Sequence, residues 1–169
     1  MSGLTRKLEV GANIAIIAVA LLLGAVLVKK FLLAPPPPPP MHQISAGTKV
    51  TVPGVDWSRN GRTLVLVLQK GCHFCSESAP FYQRLARETN GRPGLAVMAV
   101  LPQATDEAKQ YLGELNVPVP DVRQAALNSL GVSGTPTLLL VDSQGAVLQA
   151  WVGKLPAEQE NEVLTKVGS

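Results

Sequence analysis

The sequence predicts an α/β domain built on a mixed central sheet flanked by helices, with one transmembrane helix in front of it. Three observations carry that expectation. Residues 10–28 form an apolar run without a charge, residues 35–40 are all proline, and from residue 45 onward short apolar runs alternate with polar, helix-like stretches closed by Gly, Pro and Asn.

The apolar run "VGANIAIIAVALLLGAVLV", Val10 to Val28, is 19 residues long. At 1.5 Å per residue a helix of that length covers about 28 Å, close to the hydrocarbon thickness of a bilayer. A cleaved signal peptide also begins with basic residues, here Arg6 and Lys7, followed by an apolar core. This run is longer than a usual signal core, and it leads into Lys29, Lys30 and prolines without a small-x-small cleavage site. The expectation is therefore an uncleaved, single-pass anchor over residues 1–33, its helix at about 10–28. Basic pairs on both flanks leave its orientation undecided by charge. The stretch "APPPPPP", Ala34 to Pro40, follows. Its six prolines favour a polyproline II rod that holds the next domain roughly 19 Å from the membrane, so residues 34–44 read as a spacer.

Charge separates along the same lines. The whole chain carries +3 with a pI of about 9.0. Residues 1–40 hold four Lys or Arg and one Glu, whereas residues 41–169 hold 11 basic and 11 acidic residues. The basic pI thus belongs to the anchor, and the domain offers no clustered basic surface for nucleic acid. Residues 45–169 suit one domain, with a hydrophobic share of 46% across the chain and no internal repeat.

Within that domain the elements follow in order. "TKVTV", Thr48 to Val52, reads as a short edge strand, and "RTLVLVLQ", Arg62 to Gln69, as a buried strand after the turn signal "SRNG". A helix opening at the cysteines runs to about Thr89 and stops at "NGRPG". "LAVMAVL", Leu95 to Leu101, is a second buried strand, and "TDEAKQYLGEL" a polar helix with Thr105 as N-cap. "VRQAALNSLG" suggests a short helix closed by Gly131. "TPTLLLVD" and "GAVLQAWVG" form a hairpin about Ser143-Gln144-Gly145, and a last helix covers Pro156 to Val167 with Pro in its first turn.

The only two cysteines, Cys72 and Cys75, sit at the strand-to-helix junction in "GCHFC". There the first sulfur faces free N–H groups at a helix N-terminus, where the dipole favours thiolate and lowers the pKa. Cys75 lies one turn on, within disulfide reach and shielded inside the helix. The roles divide accordingly: Cys72 attacks and Cys75 resolves. Lys70 adds positive charge nearby, and His73 is placed to donate to the thiolate, so both are candidate pKa-tuning residues. Phe74, between the cysteines, is expected to be partly exposed and to help dock a partner. Trp57 and Trp151 read as packing residues, and "DEAK" and "EQENE" as solvated helix faces.

With these residues in place, the sequence resembles the thioredoxin-like thiol-disulfide oxidoreductases over about residues 45–167. The likeness rests on "TLVLVL", then "CHFC", then Pro80 five residues after the second cysteine, then "GVSGTPTLLLVDSQGAV". It implies a thioredoxin-like fold in which Thr135-Pro136 matches the family's cis-proline site. That site faces the redox-active disulfide Cys72–Cys75 and presents the backbone of Thr135 to an extended substrate. X-Pro is also the one bond at which a cis peptide is cheap. Sixty residues lie between Cys75 and Pro136. This excess, with the anchor, looks like the TlpA/ResA-type redoxins, which are tethered outside the cytoplasmic membrane and exchange disulfides with other proteins. The sequence departs from the thioredoxin pattern at Gly71, where a Trp is usual, and at Leu66, where a buried Asp is usual.

The rivals lack residues. A structural zinc site wants about four ligands, and only Cys72, Cys75, His73 and the distant His42 are on offer. Copper carriers of similar fold usually use a further downstream histidine, and none follows His73. A peroxiredoxin would have Thr where Gln69 stands. A purely structural bridge across so short a loop would constrain the unfolded chain little. The expectation is a thiol-disulfide oxidoreductase, of undetermined direction, needing no metal or cofactor beyond its own disulfide. It is expected to be a monomer in the cytoplasmic membrane with its domain on the periplasmic side. Its partners would be protein thiols or disulfides and a redox partner in the envelope. The alternative of another class is a Cu(I)-holding or protein-binding module using the same cysteines.

Overall fold

In a computed structural model of the chain, the structure describes residues 11, 13–14, 16–24 and 44–168. Two compact units divide at residue 40. In the first, residues 16–24 are helical, with Ile16, Val19, Leu21 and Leu22 exposed. Among the described residues no helix is long and apolar enough to cross a membrane. Residues 10, 12, 15 and 25–28 of the expected anchor helix, and residues 34–43 of the spacer, lie outside the described residues.

The second unit is a mixed five-stranded sheet in the order β3-β2-β1-β4-β5. Its strands are β1 (Arg62–Val67), β2 (Leu95–Leu101), β3 (Asp121–Gln124), β4 (Thr137–Asp142) and β5 (Val147–Val152). β1, β2 and β3 run parallel, while β4 is antiparallel to both β1 and β5. The helices are α1 (His73–Glu77), α2 (Ala79–Thr89), α3 (Thr105–Glu114) and α4 (Ala157–Gly168). β1 is the middle strand, which explains its unbroken apolar run: a strand covered on both faces has no polar side to show.

The pleat sends alternate residues of β1 to opposite cores. Leu64, Leu66 and Leu68 join Cys75, Phe81, Tyr82, Leu85, Tyr111, Leu112, Trp151, Val163 and Val167 on one face. Val65 and Val67 join Met98, Val100, Leu139 and Val141 with Val50, Val52, Leu130 and Val132 on the other. The helices α2, α3 and α4 thus all contribute to the first core. The second is closed by the segment leading into the sheet and by the turn after β3, so the helices flank one face only.

Four local expectations are corrected. "TKVTV" is not a strand: a single bridge, Lys49 to Ala146, pins it to the start of the hairpin, and Pro53, which has no N–H, follows at once. The helix after the cysteines is interrupted at Ser78, the cap between α1 and α2, because Pro80 lacks a donor for the continuing ladder. Ala104, not Thr105, is the N-cap of α3, and no side chain caps it. Residues 121–124 pair with β2 as the edge strand β3 instead of opening a helix. Only Leu127–Leu130 winds, as a 3-10 turn closed by Gly131 at φ 67°. Tertiary pairing overrides local helical character here, as edge strands often show.

Leu66 is the central test of this packing, 1% exposed and paired to Ala99 on one side and Leu138 on the other. Leu66→Ala should cost about 2–5 kcal/mol of unfolding free energy. Urea denaturation checks this; a loss below 1 kcal/mol would contradict a core closed around β1.

Candidate active site

Buried Leu68 follows the last residue of the central strand, and the chain turns at once. Gly71 takes φ 82°, a left-handed conformation that costs glycine little. Cys72 is then the N-cap residue of α1, and its sulfur accepts the backbone N–H of Cys75 at 3.2 Å. Its thiol donates to the carbonyl oxygen of Thr135 at 3.3 Å, and the Thr135–Pro136 bond is cis. Residues 72 and 135 meet because Val67, the last residue of β1, pairs with Thr137, the first of β4. Both cysteines are free thiols, Cys72 partly exposed and Cys75 fully buried.

The two sulfurs have opposite electrostatic surroundings. Partial burial disfavours the Cys72 thiolate, but hydrogen bonds from the Cys75 and Thr135 side chains and from the Cys75 and Phe74 backbone outweigh it. The Cys72 pKa is lowered. For Cys75 burial dominates, the hydrogen bond to Cys72 acts in the same direction, and its pKa is pushed up to about 12. The Gln69 backbone and the Thr135 side chain oppose that rise without reversing it.

The structure places neither candidate tuning residue on the reactive sulfur. The Lys70 ammonium donates to Glu107 at 2.9 Å, and Glu107 raises its pKa. His73 lies outward, its Nε2 3.1 Å from Glu77 and its ring against Phe74. Backbone and hydroxyl donors hold Cys72 instead. Glu77 also takes Lys154 at 3.0 Å, which lowers its pKa; Glu88 lies on the outer face of α2 with Arg84.

Phe74 is 54% exposed. With Thr135, Pro136, Val152, Gly153 and Lys154 it lines a mainly apolar groove of about 350 Å³ beside Cys72. Sequence reasoning missed the β5 side of this groove, because only the fold brings residues 152–154 to the cysteines. It also missed Tyr82 and Tyr111, whose hydroxyls feel the charge of both cysteines. The spacing of Ala108, Tyr111 and Leu112 on α3 was the available signal for the second. Trp57 and Trp151 pack in the two cores, and the indole N–H of Trp151 has no partner among the described residues. Among the described residues no three His, Cys, Asp or Glu side chains converge as a metal site requires.

These surroundings predict unequal titration. In the reduced protein Cys72 should alkylate with an inflection below pH 9, while Cys75 stays protected until strongly alkaline pH. Linkage gives the matching stability profile. Between the lowered Cys72 pKa and 9.0 the unfolded chain holds a proton that the folded one has lost, so stability rises with pH. From 9.0 to about 12 the folded chain keeps the Cys75 proton that the unfolded chain loses, so stability falls. Mass-resolved alkylation and denaturation of the reduced protein across pH measure both; equal rates at the two cysteines would refute the asymmetry.

Comparison with known proteins agrees with this geometry. Residues 58–168 match the family model of the thioredoxin-like domain. No curated protein sequence matches the chain. Among solved structures, a protein from Chlorobium tepidum provisionally assigned as thiol:disulfide interchange protein DsbE superposes with a TM-score of 0.55 at 23% identity, covering 76% of this chain and 99% of its own. A thiol-disulfide isomerase from Corynebacterium glutamicum gives 0.54 at 18% identity, covering 76% and 95%. StoA from Bacillus subtilis gives 0.50 at 16% identity, covering 63% and 84%. At such identities the structural likeness concerns the fold. The family match spans well over half of the sequence, and the chain belongs to the thioredoxin-like domain family.

Proposed function

We propose that this protein is a membrane-tethered, extracytoplasmic thiol-disulfide oxidoreductase acting on protein substrates through Cys72 and Cys75. The observation that carries the reading is the unequal pair: an accessible sulfur held by the Cys75 N–H, and a buried partner one turn behind it. As a reductase, the Cys72 thiolate attacks a substrate disulfide and forms a mixed disulfide while one substrate sulfur leaves as thiolate. Cys75 then attacks Cys72, the Cys72–substrate bond breaks, and the second substrate sulfur departs reduced as Cys72–Cys75 closes. Run backwards, the same steps oxidise a dithiol, and the potential of the centre relative to its partners sets the direction. Thr135, Pro136 and Phe74 border the groove that receives the substrate segment.

The tether is part of the same proposal. The 19-residue uncharged run and the prolines after it support an anchor and spacer of the TlpA/ResA type. So do the exposed Ile, Val and Leu side chains on the described helical residues 16–24, since a helix apolar all round suits lipid. The domain would then stand on the periplasmic side of the cytoplasmic membrane. Alkaline phosphatase fused after Ser169 should be active; activity only of a cytoplasmic reporter at that position would overturn the topology.

Substitution separates the catalytic roles. Cys75→Ser should accumulate covalent complexes with partner proteins, and Cys72→Ser should form none. Both should lose turnover in insulin reduction. Non-reducing electrophoresis of cell extracts reads the trapping, and if neither variant traps a protein the oxidoreductase reading is wrong.

A further inference from the structure

The segment that carries the cysteines has little packing of its own. Between residues 69 and 76 only Cys75 is buried; Cys72 is half-buried and the others are exposed. The last ladder bond before it runs from the Leu68 N–H to the Val100 carbonyl. Gly71 then turns at φ 82°, and beyond its chain neighbours no atom lies within 4 Å of where a Cβ would stand, so nothing packs on the turn. On the groove side the Cys72 thiol donates to the Thr135 carbonyl at 3.3 Å. That tie ends when the sulfur loses its proton or joins a substrate.

The opposite side supplies ties that survive the chemistry. Gln103, just before α3, accepts the Lys70 backbone N–H at 3.4 Å, and Glu107, in the first turn of α3, accepts the Lys70 ammonium at 2.9 Å. One turn on, the Tyr111 hydroxyl lies 3.4 Å from that of Ser76, and the Ser76 hydroxyl donates to the Cys72 carbonyl at 3.5 Å. With the Ser76 proton committed to that carbonyl, Tyr111 is the donor of the pair. The bonds therefore run from Tyr111 through Ser76 to Cys72. A spacing of four sets Glu107 and Tyr111 on one face of α3, with Gln103 in line ahead of them. α3 is itself fixed, because Ala108, Tyr111 and Leu112 are buried in the first core and its closing Leu115 carbonyl accepts Gln83 of α2 at 2.8 Å.

We propose that Gln103, Glu107 and Tyr111 are positioning residues that hold the cysteine segment at both ends, at Lys70 before Cys72 and at Ser76 after Cys75, and so keep the two sulfurs in reach of each other while no bond joins them. The inference rests on the oxidoreductase reading above. None of the three lines the groove, so their effect passes through Lys70 and Ser76. In the disulfide form the Cys72–Cys75 bond itself restrains the segment, whereas in the dithiol form that restraint falls to the α3 contacts. Removing them frees the dithiol more than the disulfide, and the effective concentration of one sulfur at the other falls. A general loss of stability acts on both forms alike and leaves their ratio unchanged.

The test uses the full-length chain in detergent, equilibrated with mixtures of reduced and oxidised glutathione, with acid quench and mass spectrometry to count dithiol and disulfide. In Glu107→Gln the equilibrium constant for forming the disulfide should fall about threefold, the scale of an exposed ion pair. In Glu107→Gln/Tyr111→Phe it should fall about tenfold, two ties to one segment being lost together. Lys70→Met separates positioning from charge. Positioning requires that it shift the constant in the same direction as Glu107→Gln, because each removes the same tie. A purely electrostatic role requires opposite shifts, since one variant bares an ammonium near the Cys72 thiolate and the other deletes it. Opposite shifts would overturn the proposal, as would a wild-type constant in the double variant. Should Tyr111→Phe fail to fold, the surface variants Glu107→Gln and Lys70→Met decide alone, and wild-type constants in both overturn it. A wild-type chain that forms no Cys72–Cys75 disulfide at any glutathione ratio overturns the oxidoreductase reading itself, which keeps the two failures apart.

Discussion

The position of β1 in the middle of the sheet is the constraint on which the site depends. A strand paired on both edges and buried on both faces cannot slide without turning its whole leucine set out of the core. Its end is therefore fixed, and so is the point at which Gly71 turns the chain and Cys72 opens α1. The same register brings the start of β4 to that end. Thr135, just before β4, can thus contact a sulfur 63 residues earlier in the chain. The β1–β4 ladder thus sets where α1 begins and where the Thr135–Pro136 junction lies.

Charge at the site is balanced within its own rim. Lys70 is matched by Glu107 on the α3 side, and Lys154 with His73 by Glu77 on the β5 side. Such exposed pairs contribute little to stability and weaken with salt. What holds the Cys72 thiolate is a set of short-range donors, the Cys75 and Phe74 backbone with the Thr135 hydroxyl, which salt scarcely screens. A neutral rim around an apolar groove offers a partner little long-range attraction to follow.

What was legible in the sequence was whatever acts locally. The buried runs at Leu64 to Leu68, Leu95 to Leu101 and Leu138 to Val141, the hairpin turn and the strand-to-helix placement of the cysteines could all be read from period and punctuation. β3 escaped because Asp121 to Gln124 has only Val122 to mark it as a strand, and its pairing partner Met98 to Leu101 lies over 20 residues away. The one-sided helical layer escaped because no pattern within a helix states which face of the sheet it will cover. Lys70 and His73 were read by their closeness in sequence to Cys72, whereas each is drawn off by a carboxylate that the fold, or one helical turn, sets nearer.

The strand order has a last consequence for the chemistry. The sheet runs β3-β2-β1-β4-β5, with the cysteines at the end of its middle strand. α2 lies between α3, which Gln83 joins through the Leu115 carbonyl, and α4, which Arg84 joins through Asn161. One flank of the pair is thus built from β4 and β5 and holds the apolar groove; the other is built from α3 and holds the tyrosine hydroxyl. The two flanks thus offer different surroundings, one an apolar groove and the other the Tyr111 and Ser76 hydroxyls 3.4 Å apart.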